Sequence, residues 1–187
     1  MLYNSIKFAL IIKIIKMKNL INIISCFLLL ILASCSTQIY MEPSKVVNAV
    51  EANEFNFEAR SVYPTNLEVM NVMNSIPGGS SGRMMKLDSG YGIKVNKDEL
   101  TVNLPYYGRL FNATNAYTNK NSLDFTSKEF TITKNQNKKG NWLVTINVKD
   151  QNTQPKFIFE IFKSGSVFVS ASLNDRNPIS YDGYLID

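Results

Sequence analysis

From Asp124 to the C-terminus the chain repeats one pattern, a short apolar-alternating run followed by a few turn-forming residues. The runs are "DFTSKEFTITK", "NWLVTINVK", "KFIFEIFK", "SVFVSASL" and "ISYDGYLI", separated by "NQNKKG", "DQNTQP", a two-residue "SG" and "NDRNP". Short runs rich in β-branched and aromatic residues, bounded by Gly, Asn and Asp, read as strands. Nothing between them is long enough for a crossover helix, so parallel pairing is excluded and an antiparallel meander remains. Period-two spacing puts Trp142, Val144, Ile146 and Val148 on one face of their strand and Val167, Val169, Ala171 and Leu173 on one face of theirs. One face of the sheet is therefore apolar.

Upstream the same logic applies with more interruptions. Glu54 to Tyr63 alternates, with Phe55, Phe57 and Ala59 on one side and Asn56, Glu58 and Arg60 on the other. "YGIKV" and "LTVNL" flank a polar "NKDE" turn and predict a hairpin. "SIPGGSSG", Ser75 to Gly82, predicts an exposed loop, and the Asn- and Thr-rich stretch from Asn112 to Ser122 predicts a surface segment. Val46, Val47, Ala49 and Val50 have helical spacing, which predicts one short N-terminal helix over Lys45 to Ala52, capped by Ser44. The expected fold is mainly β: a single domain over residues 45–187, an antiparallel meander of about eight strands curled into a barrel-like or half-barrel sheet so that its apolar face is buried.

The start of the chain has a different purpose. Residues 20–33 are nearly all Leu, Ile and Phe, short for a membrane span, and Leu32, Ala33 and Ser34 then diminish in size before Cys35 and a polar stretch. A basic beginning, a short apolar core and small residues at the cut define a secretory signal. "LASC" resembles the lipobox of bacterial lipoproteins, which implies removal of residues 1–34, lipid attachment at Cys35 and a tether over residues 35–44. Met17-Lys18-Asn19 is itself a good signal start, so the leader is expected either to begin at Met17 or to be unusually long from Met1. Two or three acyl chains would hold such a protein stably at a membrane without spanning it.

Charge and residue usage narrow the chemistry. Four of the 20 basic residues (Lys7, Lys13, Lys16 and Lys18) precede Cys35 and none of the 15 acids does, so a formal charge of +5 becomes +1 after processing. With Lys and Arg scattered, a nucleic-acid partner is not expected. The sequence has no histidine, and of its two cysteines Cys26 lies in the signal and Cys35 at the lipid. This argues against His-based catalysis, thiol catalysis and a disulfide framework, and no metal or cofactor is expected. Asp98-Glu99, the one adjacent acidic pair, falls in a turn and reads as solvated.

Two stretches are richer. "LPYYGRLF" and "NDRNPISYDGYLI" bring together Tyr106, Tyr107, Arg109, Arg176 and Tyr181. Tyrosine joins an apolar ring to a polar tip and arginine offers a planar fork, so these five form a candidate ligand rim. The other reading is that the rings close the core and the arginines pair with acids at the sheet edge.

"LPYYGRLF", "LDFTSKEFTITK", the Lys/Gly/Trp turn into "WLVTINV", the late glycine of "FKSGSVFVSAS" and "RNPISYDGYL" together resemble the Bacteroidota lipoproteins grouped as domain of unknown function 4251. The resemblance covers Phe55 to the end. It implies a single lipid-tethered envelope domain and brings no catalytic residues with it. It also implies retention at the outer membrane facing the periplasm, because Ser36-Thr37-Gln38-Ile39-Tyr40, rather than an acidic stretch, follows Cys35. The expected function is a non-enzymatic module that binds a small apolar or amphipathic ligand in the β domain. The alternatives are an assembly partner of an envelope protein without a ligand pocket and, last, a His-free hydrolase.

Overall fold

The computed structural model describes residues 38–65, 67–75, 85–111 and 122–187. The signal, Cys35, the Gly-rich loop over 76–82 and the polar stretch over 112–121 lie outside the described residues. The described elements are helix α1 (Pro43–Ala52), strand β1 (Phe55–Pro64), helix α2 (Leu67–Ser75), and strands β2 (Gly92–Val95), β3 (Leu100–Pro105), β4 (Ser122–Ser127), β5 (Phe130–Gln136), β6 (Trp142–Val148), β7 (Lys156–Ile161), β8 (Ser166–Leu173) and β9 (Arg176–Ile186).

The nine strands form one sheet in the order β4-β3-β2-β1-β9-β8-β7-β6-β5, antiparallel at every junction. Its outermost strands, β4 and β5, are consecutive in the chain, with only Lys128 and Glu129 between them. Two edges joined by so short a link cannot belong to an open, flat sheet. The sheet curls into a half-barrel. Because all nine strands alternate, β4 and β5 run in the same direction, and the run "DFTSKEFTITK", expected as one strand, is two: its first part pairs with β3 and its second with β6. The break is held from outside the run. The Asp150 carboxylate accepts the Ser127 hydroxyl at 2.6 Å and the Lys128 N–H at 3.0 Å.

The concave face is filled by side chains. Phe57 and Phe159 meet edge to face with centroids 6.2 Å apart. The Phe125 ring on β4 lies 6.4 Å from that of Phe157 on β7, with five strands between them in the sheet order, so side chains meet across the curl. Phe157, Phe159, Ile161, Val144, Ile146 and Tyr181 are each 0 % exposed. In β1 the inward positions are Phe55, Phe57 and Ala59, then Val62 and Pro64. The change of phase is a bulge: the register with β9 shifts between Ala59 and Ser61, leaving Arg60 out of the ladder.

Helix α1 begins two residues earlier than expected. Pro43 occupies its first turn, where a missing N–H costs nothing, and Glu42 stands at the N-cap without a side-chain cap bond, so Ser44 is inside the helix and does not cap it. Val46 and Val50 enter the core, at about 1.5–3 kcal/mol for each buried side chain. The Lys134 ammonium on β5 donates to the carbonyls of Val50 at 3.0 Å and Glu51 at 2.9 Å, satisfying the helix C-terminus with a cation. The fold takes in Tyr40 and Met41, which the sequence reading leaves in the tether, and it adds α2 to the one helix expected.

Alternation sorts the connections to two ends. At the α1 end lie the β2–β3, β5–β6 and β7–β8 turns and the last residue, Asp187. At the other end lie the β6–β7 loop, the β8–β9 turn with Arg176, and the segment that leaves β3.

Candidate functional site

The segment after β3, Tyr106 to Phe111, carries three of the five candidate residues. It is fastened to the β8–β9 turn along its length. The Phe111 N–H donates to the Asp175 carbonyl at 2.8 Å, the Asn177 N–H donates to the Arg109 carbonyl at 3.0 Å, and Leu110 bridges Arg176. The Tyr106 hydroxyl lies 2.9 Å from the Asn177 carbonyl and 3.2 Å from that of Arg109, donating its proton between them. Gly108 makes this possible: a Cβ there would run into the Tyr106 ring and hydroxyl, which lie against its backbone.

Three candidates sit inside. Tyr106 and Arg176 are each 3 % exposed and Tyr181 is 0 % exposed. The Arg176 guanidinium lies over the Tyr106 ring, 4.7 Å from its centroid, and donates from Nε to Asp175 Oδ1 at 2.9 Å and from Nη2 to Oδ2 at 3.0 Å. Tyr181 donates its hydroxyl to the Pro105 carbonyl at 2.8 Å, which ties β9 to the end of β3. Burial raises the pKa of Tyr106 above 10.0, against the opposing pull of the Arg176 cation. Burial, reinforced by Tyr106, raises that of Tyr181 much further. Both remain neutral hydrogen-bond donors at any physiological pH.

The other two candidates face water. Tyr107 is 39 % exposed, Arg109 is exposed, and Phe111, the last residue of "LPYYGRLF" and not among the five candidates, is 58 % exposed. Residues 107, 109 and 111 are the exposed positions of a strand-like alternation, and that period was the signal that would have found Phe111. Asp175 was missed as well; its place beside Arg176 in the turn was the clue. The structure thus divides the five into a floor of Tyr106, Arg176 and Tyr181 and an outward row of Tyr107 and Arg109 that Phe111 extends.

Beside the floor a cleft of about 330 Å³ opens to solvent between Leu123 and Asp124 of β4 and Asn152 and Thr153 of the β6–β7 loop, with Arg176 in its wall. Among the described residues no group of three or more His, Cys, Asp or Glu side chains could hold a metal ion, and no helix is long and apolar enough to cross a membrane.

A sequence model of the domain of unknown function DUF4251 matches residues 38–185. The chain belongs to the DUF4251 family. A comparison with the curated proteins finds no match. Among solved structures, the crystal structure of a DUF4251 family protein from Bacteroides eggerthii DSM 20697 is similar, with a TM-score of 0.47 at 16 % identity over 77 % of this chain and 86 % of that one. In this DUF4251 domain, the match over residues 38–185 takes in the outward row and its floor.

Proposed function

We propose that this DUF4251 protein is a lipid-anchored, non-enzymatic interaction module of the cell envelope that engages a protein partner through the row Tyr107, Arg109 and Phe111. That row carries the reading. It exposes two aromatic rings and an arginine, the residue types that dominate binding energy at protein interfaces. Its backbone is already fixed by hydrogen bonds to the β8–β9 turn, so little ordering entropy opposes docking.

Partner binding is favoured here over a ligand carried inside the β domain. A carrier needs a cavity under the sheet, and the rings of Phe57, Phe125, Phe157 and Phe159 occupy that space. The Arg176 fork, which could have gripped a ligand carboxylate, is already engaged by Asp175. The absence of histidine and of any cysteine after Cys35 supports a non-enzymatic role. "LASC" supports acylation of Cys35, and the non-acidic Ser36 to Tyr40 supports an outer-membrane site facing the periplasm.

The test is photo-crosslinking in the native host from a reactive amino acid at Arg109, with Lys139 at the opposite end as control. One dominant protein adduct from position 109 alone is expected. Native mass spectrometry of the same protein is expected to give a bare polypeptide plus its acyl chains, and a tightly bound small molecule lost with the Arg176 cluster would return the carrier reading to first place.

A further inference from the structure

The chain joins the fold at a built attachment point. Tyr40 stacks its ring on that of Tyr184, with centroids 4.6 Å apart and planes within 3°. Its hydroxyl accepts from Arg60 Nη1 at 2.9 Å, and the N–H groups of Tyr40 and Met41 both donate to the Ser164 carbonyl, at 2.7 and 3.2 Å. Met41 is 8 % exposed, against the β7–β8 turn. From Tyr40 onward the chain is fastened to the sheet.

Tyr40 lies only five residues after Cys35. Fully extended, that stretch reaches about 18 Å. Arg176 stands eight residues from Tyr184 on β9, about 26 Å along a strand. Even folded back along β9, the tether ends short of Arg176.

We infer that this attachment fixes which end of the sheet meets the membrane: the α1 end lies against the lipid surface, and the row Tyr107, Arg109 and Phe111 faces away from it. The inference rests on the acylation of Cys35 proposed above. The exposed Lys138, Lys139 and Lys163 project from the β5–β6 and β7–β8 turns at the α1 end, where anionic headgroups attract them, while Asp98 and Glu99 sit on the β2–β3 turn of the same end. The lipid surface is thus met most closely on the side of the β5–β6 and β7–β8 turns, since Lys97 of the β2–β3 turn sits beside Asp98 and Glu99 and pairs with Glu54 at 3.4 Å. In this orientation the partner-binding row is presented to the aqueous side.

The experiment uses the full lipoprotein purified from its host and reconstituted into phosphatidylethanolamine and phosphatidylglycerol vesicles containing a headgroup-attached acceptor dye. A donor dye is placed by Lys163→Cys at the α1 end or by Asn152→Cys at the other. The expected result is several-fold stronger energy transfer from position 163 than from 152, with the difference erased by a long Gly/Ser insertion between Gln38 and Ile39. Equal transfer from the two positions on an acylated protein, or transfer stronger from 152, overturns the inference and leaves the anchored reading intact. A mass spectrum showing Cys35 without lipid overturns both.

Discussion

Arg176 places its guanidinium over the ring of Tyr106, 4.7 Å from the centroid, while it holds the Asp175 carboxylate in its fork. The pair is almost wholly buried, Arg176 at 3 % exposure and Asp175 at 8 %. A buried ion pair adds little over an apolar replacement, whereas losing one partner leaves an uncompensated charge, at about 3–5 kcal/mol. Asp175→Ala is expected to destabilise the fold by about that amount in urea denaturation, and the double change Asp175→Asn with Arg176→Met by much less. Equal losses in the two variants would mean that the pair serves by more than mutual neutralisation.

The same cluster sets the alkaline limit of stability. Tyr106 and Tyr181 have pKa values raised by burial above the 10.0 of a free tyrosine. Above about pH 10 the unfolded chain loses these protons while the folded chain keeps them, so the native state binds more protons and stability falls as pH rises. Below about pH 10 the contribution is fully present. For Tyr181, the more strongly shifted of the two, the slope is about 1.4 kcal/mol per pH unit. Thermal midpoints are expected to fall as pH rises above about 10, and Tyr181→Phe, which removes the more strongly shifted group, to flatten that fall. A variant with an undiminished slope would assign the alkaline loss to other groups.

What the sequence made visible was parity, because a strand's period of two writes its inner face directly into the chain. Val144, Ile146 and Val148 are buried as expected, as are Val167, Val169 and Ala171. What it concealed depends on distant partners. Nothing in "TSKEF" marks a break, since no glycine or proline interrupts it; the carboxylate that turns the chain there is Asp150, 22 residues from Lys128. Tyr106 and Tyr107 are adjacent and chemically alike, and only the backbone bonds to the β8–β9 turn send the first inward and the second outward. Asp175 and Arg176 would point to opposite faces in a regular strand. The turn at 174–175 lets them clasp.

The Tyr40 attachment depends on Gly165. Its φ of +80° is a conformation that side chains rarely adopt, and an added Cβ would sit 2.8 Å from the Met41 nitrogen. Gly165→Ala is expected to cost about 1–3 kcal/mol and to push Met41 off the turn. Hydrogen exchange at the Tyr40 and Met41 amides should accelerate more than exchange in β6 or β7. Uniform acceleration across the sheet would show instead that the turn holds the whole fold and not the attachment alone.

Asp150 closes the half-barrel through its hold on the β4–β5 link, where Lys149 also donates its N–H to the Glu129 carbonyl at 2.8 Å. The Ser127 hydroxyl above all holds the Asp150 carboxyl below its ordinary 3.8, opposed next by desolvation and then aided by the Lys128 amide. A depressed carboxylate pKa contributes stability above the unfolded value, lost as pH falls through the folded one. Asp150→Asn replaces a charged carboxylate with one neutral acceptor and one donor, so the bonds to Ser127 and Lys128 lose their charge assistance. Exchange at the Lys128 amide is expected to rise, and the variant's stability to vary less with pH below about 4 than that of the parent. Unchanged exchange at Lys128 would show that the two edges meet without Asp150, held by the continuity of the chain and by Phe125 against Phe157.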